Sequence, residues 1–576
     1  MSDHTSRTPR PADEPEPPEP SGQAGTSEPT ALSKAPLPEP RSTAPEPPEV
    51  PVHARQGGQP YPPDPWRQGS SQQVSALSTL RPAAPAAIRG ATLCCVVVTA
   101  VLSALLLGDG LGANALIVAV PAALGAYFAA RTAGRRLRPW TALWAVGGLA
   151  LLAVPALRDA GWPVFLAVVS AIALGSLALH GSRSWLGVFL GSLGLFSAIA
   201  DGLAWGGRGV HALTAGSRGR LGVVLRSVAV AVVLLIVFGA LFASADAAFA
   251  DVLGDLMPDV SLTGTPWRFL LFLVGLIGAL AAAYAAAAPI RWDGLTVRPG
   301  KARGRVEWAL PLIVLNLLFA VFIAVQLTVL LGGYDKVMAE TDLSYSEYAR
   351  QGFWQLLWAT VLTLLVIALA LRWAPRGKSG DRTLVRTVLG ALCLLTLIVV
   401  ASALRRMDLY VDAYGLTRLR ISVAAVELWL GVVLVLIMAA GVFGARMLPR
   451  AVAASAAVAV LAFGLISPDG LIAEQNVQRY RDDHSIDVAY LKDLSADAVP
   501  ALDTLPEPLR SCALLGIERS LRSDDVPWYA TSWGEARARD ILKRHPADPT
   551  QPCTGSRTGI GGSDRDIDES DPYDPY

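Results

Sequence analysis

Apolar runs of membrane-crossing length fill most of this chain, so an all-α, polytopic transmembrane helix bundle of about 11–12 spans is expected. Three observations carry that expectation. Between Ile88 and Ile466 about a dozen stretches of roughly 17–25 residues carry almost no charge, the length an α-helix needs to cross the hydrocarbon layer. Composition is 52% hydrophobic and 17% charged over 576 residues, which is too apolar for a soluble chain of that size. Trp140, Trp162, Trp185, Trp267, Trp308 and Trp354 all stand at run edges, where indole rings settle at the headgroup level.

The chain divides into four parts. Residues 1–87 hold 20 of the 41 prolines and no apolar run, so they read as a disordered tail rich in Pro and Glu. Residues 88–467 form the bundle, with runs near 88–107, 111–130, 140–157, 162–180, 184–204, 221–243, 266–288, 307–331, 353–373, 384–403, 421–443 and 450–467. Residues 468–545 are polar yet patterned. Short helices are expected there near 471–480, 487–494, 509–521 and 533–542, separated by Pro, Asp and Ser. Residues 546–576 read as a disordered acidic tail.

Arginine placement orients the spans. The loops with Arg131, Arg135, Arg136 and Arg138, with Arg291, Arg298, Lys301, Arg303 and Arg305, and with Arg376, Lys378 and Arg382 belong in the cytoplasm. The acidic stretches with Asp246, Asp251, Asp255 and Asp259, and with Asp335, Glu340, Asp342 and Glu347, suit the outside. Three runs separate the first basic loop from Arg208, Arg218 and Arg220, and an odd number of crossings cannot keep both inside. One run within 162–204 is therefore expected to re-enter or stop short. The N-terminal tail is then cytoplasmic and the C-terminal region lies outside. Arg405, Arg406, Arg418 and Arg420 fall on that outer side too, so either protein groups hold them or the last three spans are misassigned.

Ionisable and amide residues inside spans are the first candidates for chemistry. Glu427 lies about two turns into its run, with Arg420 seven residues earlier on nearly the same face. It reads either as a proton- or cation-coupling carboxylate or as half of an ion pair. Asn316 and Gln326 share one run, and interhelical hydrogen bonds account for both. Asp251 and Asp255 lack EF-hand spacing, and Ser344-x-x-Glu347 reads as a capping box that starts a helix. Gly108-x-Gly110-x-x-Ala113 joins two apolar runs and reads as a tight turn rather than a dinucleotide fingerprint. No P-loop, HExxH, CxxC pair or GxSxG elbow occurs in the chain, so neither a cofactor nor a metal is expected.

Cys94, Cys95 and Cys393 fall within runs as small apolar fillers, whereas Cys512 and Cys553 in the C-terminal region can form a disulfide if that region is outside. The net charge of +1 points away from nucleic acid; the lipid bilayer is the expected partner, together with envelope proteins. The 43 Arg against 6 Lys fit a high-GC bacterial genome, hence a multi-pass protein of the bacterial plasma membrane.

Several strings occur together: Ser244-Ala245-Asp246, Tyr348-Ala349-Arg350-Gln351-Gly352-Phe353, Arg406-Met407-Asp408-Leu409-Tyr410, and Tyr414-Gly415-Leu416-Thr417-Arg418-Leu419-Arg420. With Asn476, Tyr490-Leu491 and Asp497-Ala498-Val499-Pro500 they resemble the bacterial multi-pass membrane family known as domain of unknown function 4153/4173. The resemblance covers most of residues 90–545 and implies architecture without an activity. Arg350, Arg406, Arg420, Tyr348, Tyr410 and Tyr414 are expected to form a polar rim at the outer helix ends. That rim would either bind an anionic lipid, cell-wall precursor or peptide, or be tied by ion pairs to Asp408, Asp412 and Glu427. A non-catalytic structural or signalling role in the envelope is expected first. Next comes a secondary transporter using Glu427, Asn316 and Gln326, and then a membrane-embedded enzyme acting on lipid-linked substrates.

Overall fold

The computed structural model describes residues 84–136, 138–215, 265–295, 304–331, 353–374, 379–522 and 526–553, isolated positions between 227 and 246, and residues 557–558. Residues 1–83, nearly all of the run at 221–243, the acidic stretch with Asp251 and Asp255, the Ser344-x-x-Glu347 box, Tyr348, Arg350 and residues 559–576 lie outside them.

Among the described residues, the apolar runs other than the one at 184–204 each coincide with a helix, the one at 140–157 with two. The described helices up to residue 465 are α1 (Gly90–Leu106), α2 (Asn114–Thr132), α3 (Pro139–Leu151), α4 (Val154–Leu157), α5 (Gly161–His180), α6 (Trp185–Ser192) and α7 (Gly194–Ser197). They continue with α8 (Ile199–Ala215), α9 (Thr265–Ala287), α10 (Arg305–Leu331), α11 (Phe353–Trp373), α12 (Ser379–Tyr414), α13 (Arg418–Phe443) and α14 (Leu448–Leu465). Among the described residues nine helices are long and apolar enough to cross a membrane, counting α3 and α4 as one, and α1 adds a further apolar helix of 17 residues. The chain is a multi-pass membrane protein.

Local chemistry sets the ends. Pro139 starts α3, where its missing N–H costs nothing, and the Ser184 hydroxyl accepts from Gly187 N (3.0 Å) to start α6. Gly181 (φ 68°) closes α5, and Gly415 (φ 77°) closes α12; both left-handed positions suit glycine. Small residues let the apolar helices approach closely, as lipid-embedded packing requires. A Cβ on Gly125 of α2 would stand 3.1 Å from Cys95 of α1, and one on Gly148 of α3 would stand 3.2 Å from the Ala171 carbonyl of α5. Apolar clusters result, among them those around Ala126 and Ala283 between α1, α2 and α9, around Trp144 and Leu174 between α3, α5 and α14, and around Leu392 and Leu434 between α10, α11, α12 and α13.

The run expected at 184–204 is not one helix. It breaks into α6, α7 and the start of α8, and the break is satisfied from α5. Ser176 donates its hydroxyl to the Gly191 carbonyl (2.6 Å) and accepts from Leu195 N (2.9 Å). Non-helical backbone at this depth survives because protein groups complete its hydrogen bonds. From there α8 stays by the closing end of α9: Gly202 packs on Ala281, Gly206 on Leu280, and the Trp205 indole donates to Ala86 carbonyl (2.8 Å) ahead of α1. Of the two runs between residues 162 and 204, the second is therefore the interrupted one, while α5 is a single unbroken helix.

Consecutive helices then alternate, and their ends sort into two sets. At one end Arg135 donates to the carbonyls of Ala286 (2.5 Å) and Leu179 (3.2 Å), and Arg450 to those of Ser182 (2.9 Å) and Gly181 (3.1 Å). The Asp293 carboxylate, in the turn after α9, accepts from Arg183 N (2.9 Å) and Ser184 N (2.8 Å). Burial opposes its charge, but these bonds hold the Asp293 carboxyl below the usual carboxylate value. At the opposite end lie the turns α1–α2, α4–α5 and α12–α13, and there the C-terminal region sits. Elsewhere Arg305 at the start of α10 pairs with Asp381 at the start of α12 (2.5 Å), so those two helices begin side by side.

Helix α12 runs from Ser379 to Tyr414, 36 residues, so at 1.5 Å per residue it is about 54 Å long. The apolar run at 384–403 is only its middle. The remainder carries Arg405, Arg406, Asp412 and Tyr414 past the end of that apolar run.

After α14 the chain turns through Ser467 (φ 60°) into α15 (Pro468–Asp483), followed by α16 (Val488–Leu491), α17 (Val499–Leu502), α18 (Leu509–Arg522) and α19 (Trp533–Arg544). The short α17 is an element that the spacing of apolar residues did not signal. Ile472, Leu491, Leu502, Leu514 and Ala538 close a core of their own, with Leu416 from the α12–α13 turn. Residues 547–553, expected in the acidic tail, pack on the module: Ala547 N donates to Glu518 (3.0 Å), Asp548 N to Ser511 Oγ (3.0 Å), and Cys553 is bonded to Cys512. Further along, Arg557 and Thr558 (β2) pair antiparallel with Ile486 and Asp487 (β1).

Candidate functional site

The densest polar arrangement among the described residues is the joint between this C-terminal module and the helix ends. Thr417 caps α13, and the next residue, Arg418, turns its guanidinium toward Asp469 in the first turn of α15. Nε donates at 2.9 Å and Nη2 at 2.5 Å, a bidentate pair. Ser495 N (2.9 Å) and the Trp162 indole (3.3 Å) complete the shell of Asp469, which is fully buried. Burial alone would raise the Asp469 carboxyl, but Arg418 and Ser495 hold it below its ordinary value. Arg418 N donates to the Tyr490 hydroxyl (2.7 Å). One ion pair thereby ties α5, α13, α15 and the 490–495 segment.

Around it the two sides exchange helix caps. Asp497 of the module accepts from Asp159 N (2.9 Å) and Ala160 N (3.2 Å) at the start of α5. Asp159 in return accepts from Ala496 N (2.9 Å) ahead of α17. Each carboxylate meets free amides at a helix N-terminus, where the dipole favours negative charge. Burial is the main influence on Asp497, and its carboxyl lies above the ordinary value.

Arginines supply the opposite caps. Arg158 donates to the Leu465 carbonyl that ends α14 (3.1 Å from Nε), and Arg479 to the Asp412 (3.2 Å) and Ala413 (2.6 Å) carbonyls that end α12. Asn476 donates to the Leu416 carbonyl (2.8 Å). A third contact lies at the α1–α2 turn. Asn114, fully buried, donates to the Leu106 (2.7 Å) and Gly110 (2.8 Å) carbonyls and accepts from Gly112 N (2.8 Å). On that turn Asn114 N donates to the Tyr529 carbonyl (2.9 Å), so the string at 108–113 shapes a docking turn.

The expected rim is rearranged. Among the described residues Arg420 meets no carboxylate; it donates to the Tyr414 carbonyl (3.1 Å) and to the Gly415 carbonyl, and it lies 4.2 Å over the Tyr410 ring. Arg405, not Arg406, pairs with Asp408 (2.8 Å), and both are exposed. Asp412 offers its backbone carbonyl to Arg479, Tyr414 is 50% exposed, and Arg406 is half-buried on the α12 extension. Arg350 and Tyr348 fall outside the described residues.

The ion pair expected between Glu427 and Arg420 is therefore replaced. Glu427 is fully buried about 13 Å along α13 from its first residue, and its Oε1 stands 3.0 Å from the Thr360 hydroxyl of α11. That hydroxyl also lies 3.1 Å from the Leu356 carbonyl, and Glu427 Oε2 has no partner among the described residues. Asn316 donates to the Val388 carbonyl (3.1 Å), and Gln326 accepts from Ser402 (2.6 Å), so both amides tie α10 to α12. Ten residues, about 15 Å of helix, separate them, and neither bonds to Glu427.

Sequence reasoning singled out the strings that converge here, at 417–420 and around Asn476, Tyr490 and Asp497, and marked Trp162 only as a run-edge indole, but left Asp159 and Asp469 unmarked. Asp469 after Pro468 at a helix start was the only hint, and it reads as an ordinary first-turn acid.

Residues 145–505 match the model of one protein family, Domain of unknown function (DUF4153). No curated protein and no solved structure matches the chain.

Proposed function

The chain belongs to the DUF4153 family, and from that premise we propose that it is a non-catalytic structural or signalling component of the bacterial envelope. It would hold its C-terminal module rigidly against the outer face of the plasma membrane, with the N-terminal tail in the cytoplasm and envelope proteins as partners. The exchange of caps between Asp159 and Asp497 is the observation that carries this reading. A module whose ordered segments complete the hydrogen bonds of α5 and α12 moves with those helices, which suits a platform or a coupling element. Arg135 and Arg450, which bond to the end of α5 away from the module, support this sidedness, as does the Cys512–Cys553 bond, which suits an oxidising compartment.

Thiol labelling of intact spheroplasts tests it, using a chain in which Cys94, Cys95 and Cys393 are replaced by Ala. A membrane-impermeant maleimide is expected to modify Cys512 and Cys553 only after reductant, without lysis. Modification that requires lysis refutes the orientation.

Transport is a second reading, favoured by the unpartnered Oε2 of buried Glu427. Glu427→Gln separates the two. An amide fills the same space and can still bond to Thr360, so the first reading expects unchanged folding yield and an unchanged envelope phenotype. Loss of proton-driven solute uptake in proteoliposomes, with folding intact, would favour transport.

A further inference from the structure

We propose that Trp528 and Trp533 anchor the C-terminal module in the headgroup layer of the bilayer around the helix bundle. Both are large side chains standing open, 76% and 55% exposed, although the residues beside them are packed. Trp528 precedes Tyr529, whose carbonyl accepts from Asn114 N (2.9 Å) and whose hydroxyl donates to Asp109 (3.2 Å), so it stands level with the α1–α2 turn. Trp533 precedes Gly534, where an added Cβ would lie 3.5 Å from the Leu157 carbonyl, so it stands level with the end of α4.

Those helix ends are where hydrocarbon gives way to headgroups, and indole rings are stabilised there by an apolar body and a polar N–H. The apolar surface that lipid covers runs up to the same ends: Leu105, Leu111 and Leu157 are 52%, 49% and 40% exposed. Charge is complementary as well. The Arg537 guanidinium lies 5.6 Å over the Trp533 ring, and Lys543 and Arg544 are exposed further along α19, a set that suits lipid phosphates.

The full chain in phosphatidylglycerol–phosphatidylethanolamine nanodiscs tests this. Subtracting the emission of the W528F/W533F variant from that of the wild type isolates the two indoles. A nitroxide placed on the lipid just below the headgroup is expected to remove most of that difference emission, and acrylamide in the water to leave it. Emission quenched by acrylamide and untouched by the nitroxide overturns the proposal. So does shielding that disappears in discs loaded with a single chain, because a second copy would then be the cover. If the double variant folds poorly, W528F and W533F taken singly give the same two readings.

Discussion

Replacing Arg418 with Gln is expected to loosen the C-terminal module far more than replacing Asp469 with Asn, although both changes break the same ion pair. The side chain of Asp469 is 0% exposed and that of Arg418 is 39% exposed. Removing the arginine leaves a carboxylate in the interior without a cation, a change that costs about 3–5 kcal/mol for buried pairs. Removing the acid leaves a guanidinium that reaches water and still has the Asp493 carbonyl (3.0 Å), so its cost is smaller. Limited proteolysis in detergent reads the difference as faster cleavage between α14 and α15 in R418Q than in D469N. Equal rates would show that the pair contributes nothing beyond the contacts around it.

The same pair sets an acid limit. Asp469 is held below its ordinary value of 3.8, so its contribution is complete above that value and is lost as pH falls through the depressed folded value. Wild type is therefore expected to loosen on acidification below about pH 4, and D469N to lack that step. Asp497 works in the opposite sense. Its raised carboxyl favours the folded joint at the acid side and loses that contribution as pH rises through the raised value. A joint built from both acids is thus expected to be firmest between these limits.

Cys512→Ser is the second large effect. The two cysteines are separated by 41 residues, and closing a loop of that size is worth at most about 4 kcal/mol by chain entropy, with about 2–4 typical. The bond pins residues 546–553 on α18, where Arg510 also donates to the His545 (2.5 Å) and Pro546 (3.3 Å) carbonyls. Those polar contacts remain in the variant, so the loss should fall short of the upper figure. Thermal unfolding of the module is expected to drop by several degrees in C512S, and reductant should lower the wild type to the same midpoint while leaving the variant unchanged. A wild type indifferent to reductant would mean that the polar contacts alone hold this segment.

Much of the architecture was legible in the residues because the physics of crossing a membrane is local. Each apolar residue contributes to transfer into hydrocarbon independently of its neighbours in space, and a helix satisfies its own backbone. The run at 353–373 therefore coincides with α11, and most other runs meet their helices within a few residues. The breaks were harder. Nothing in residues 185–204 announces that Ser176 will take over the hydrogen bonds of Gly191 and Leu195. Glu427 was recognisable as costly, but its partner was not: an arginine seven residues away on the same face is a reasonable guess, and Thr360 on another helix is the one the packing supplies.

The amino-acid pattern by itself determined most of the membrane-length helices, the small helices after residue 468 other than α17, and the strings that carry the family likeness, because length, apolarity and Pro or Gly stops act along the chain. Only the tertiary structure decided what those strings do. Arg418 and Asp469 are 51 residues apart and Asp159 and Ala496 are 337 apart, and they meet because alternating helices bring their turns to one end. Ion pairs and exchanged caps depend on which ends become neighbours, and that is a property of the packed bundle rather than of any single stretch.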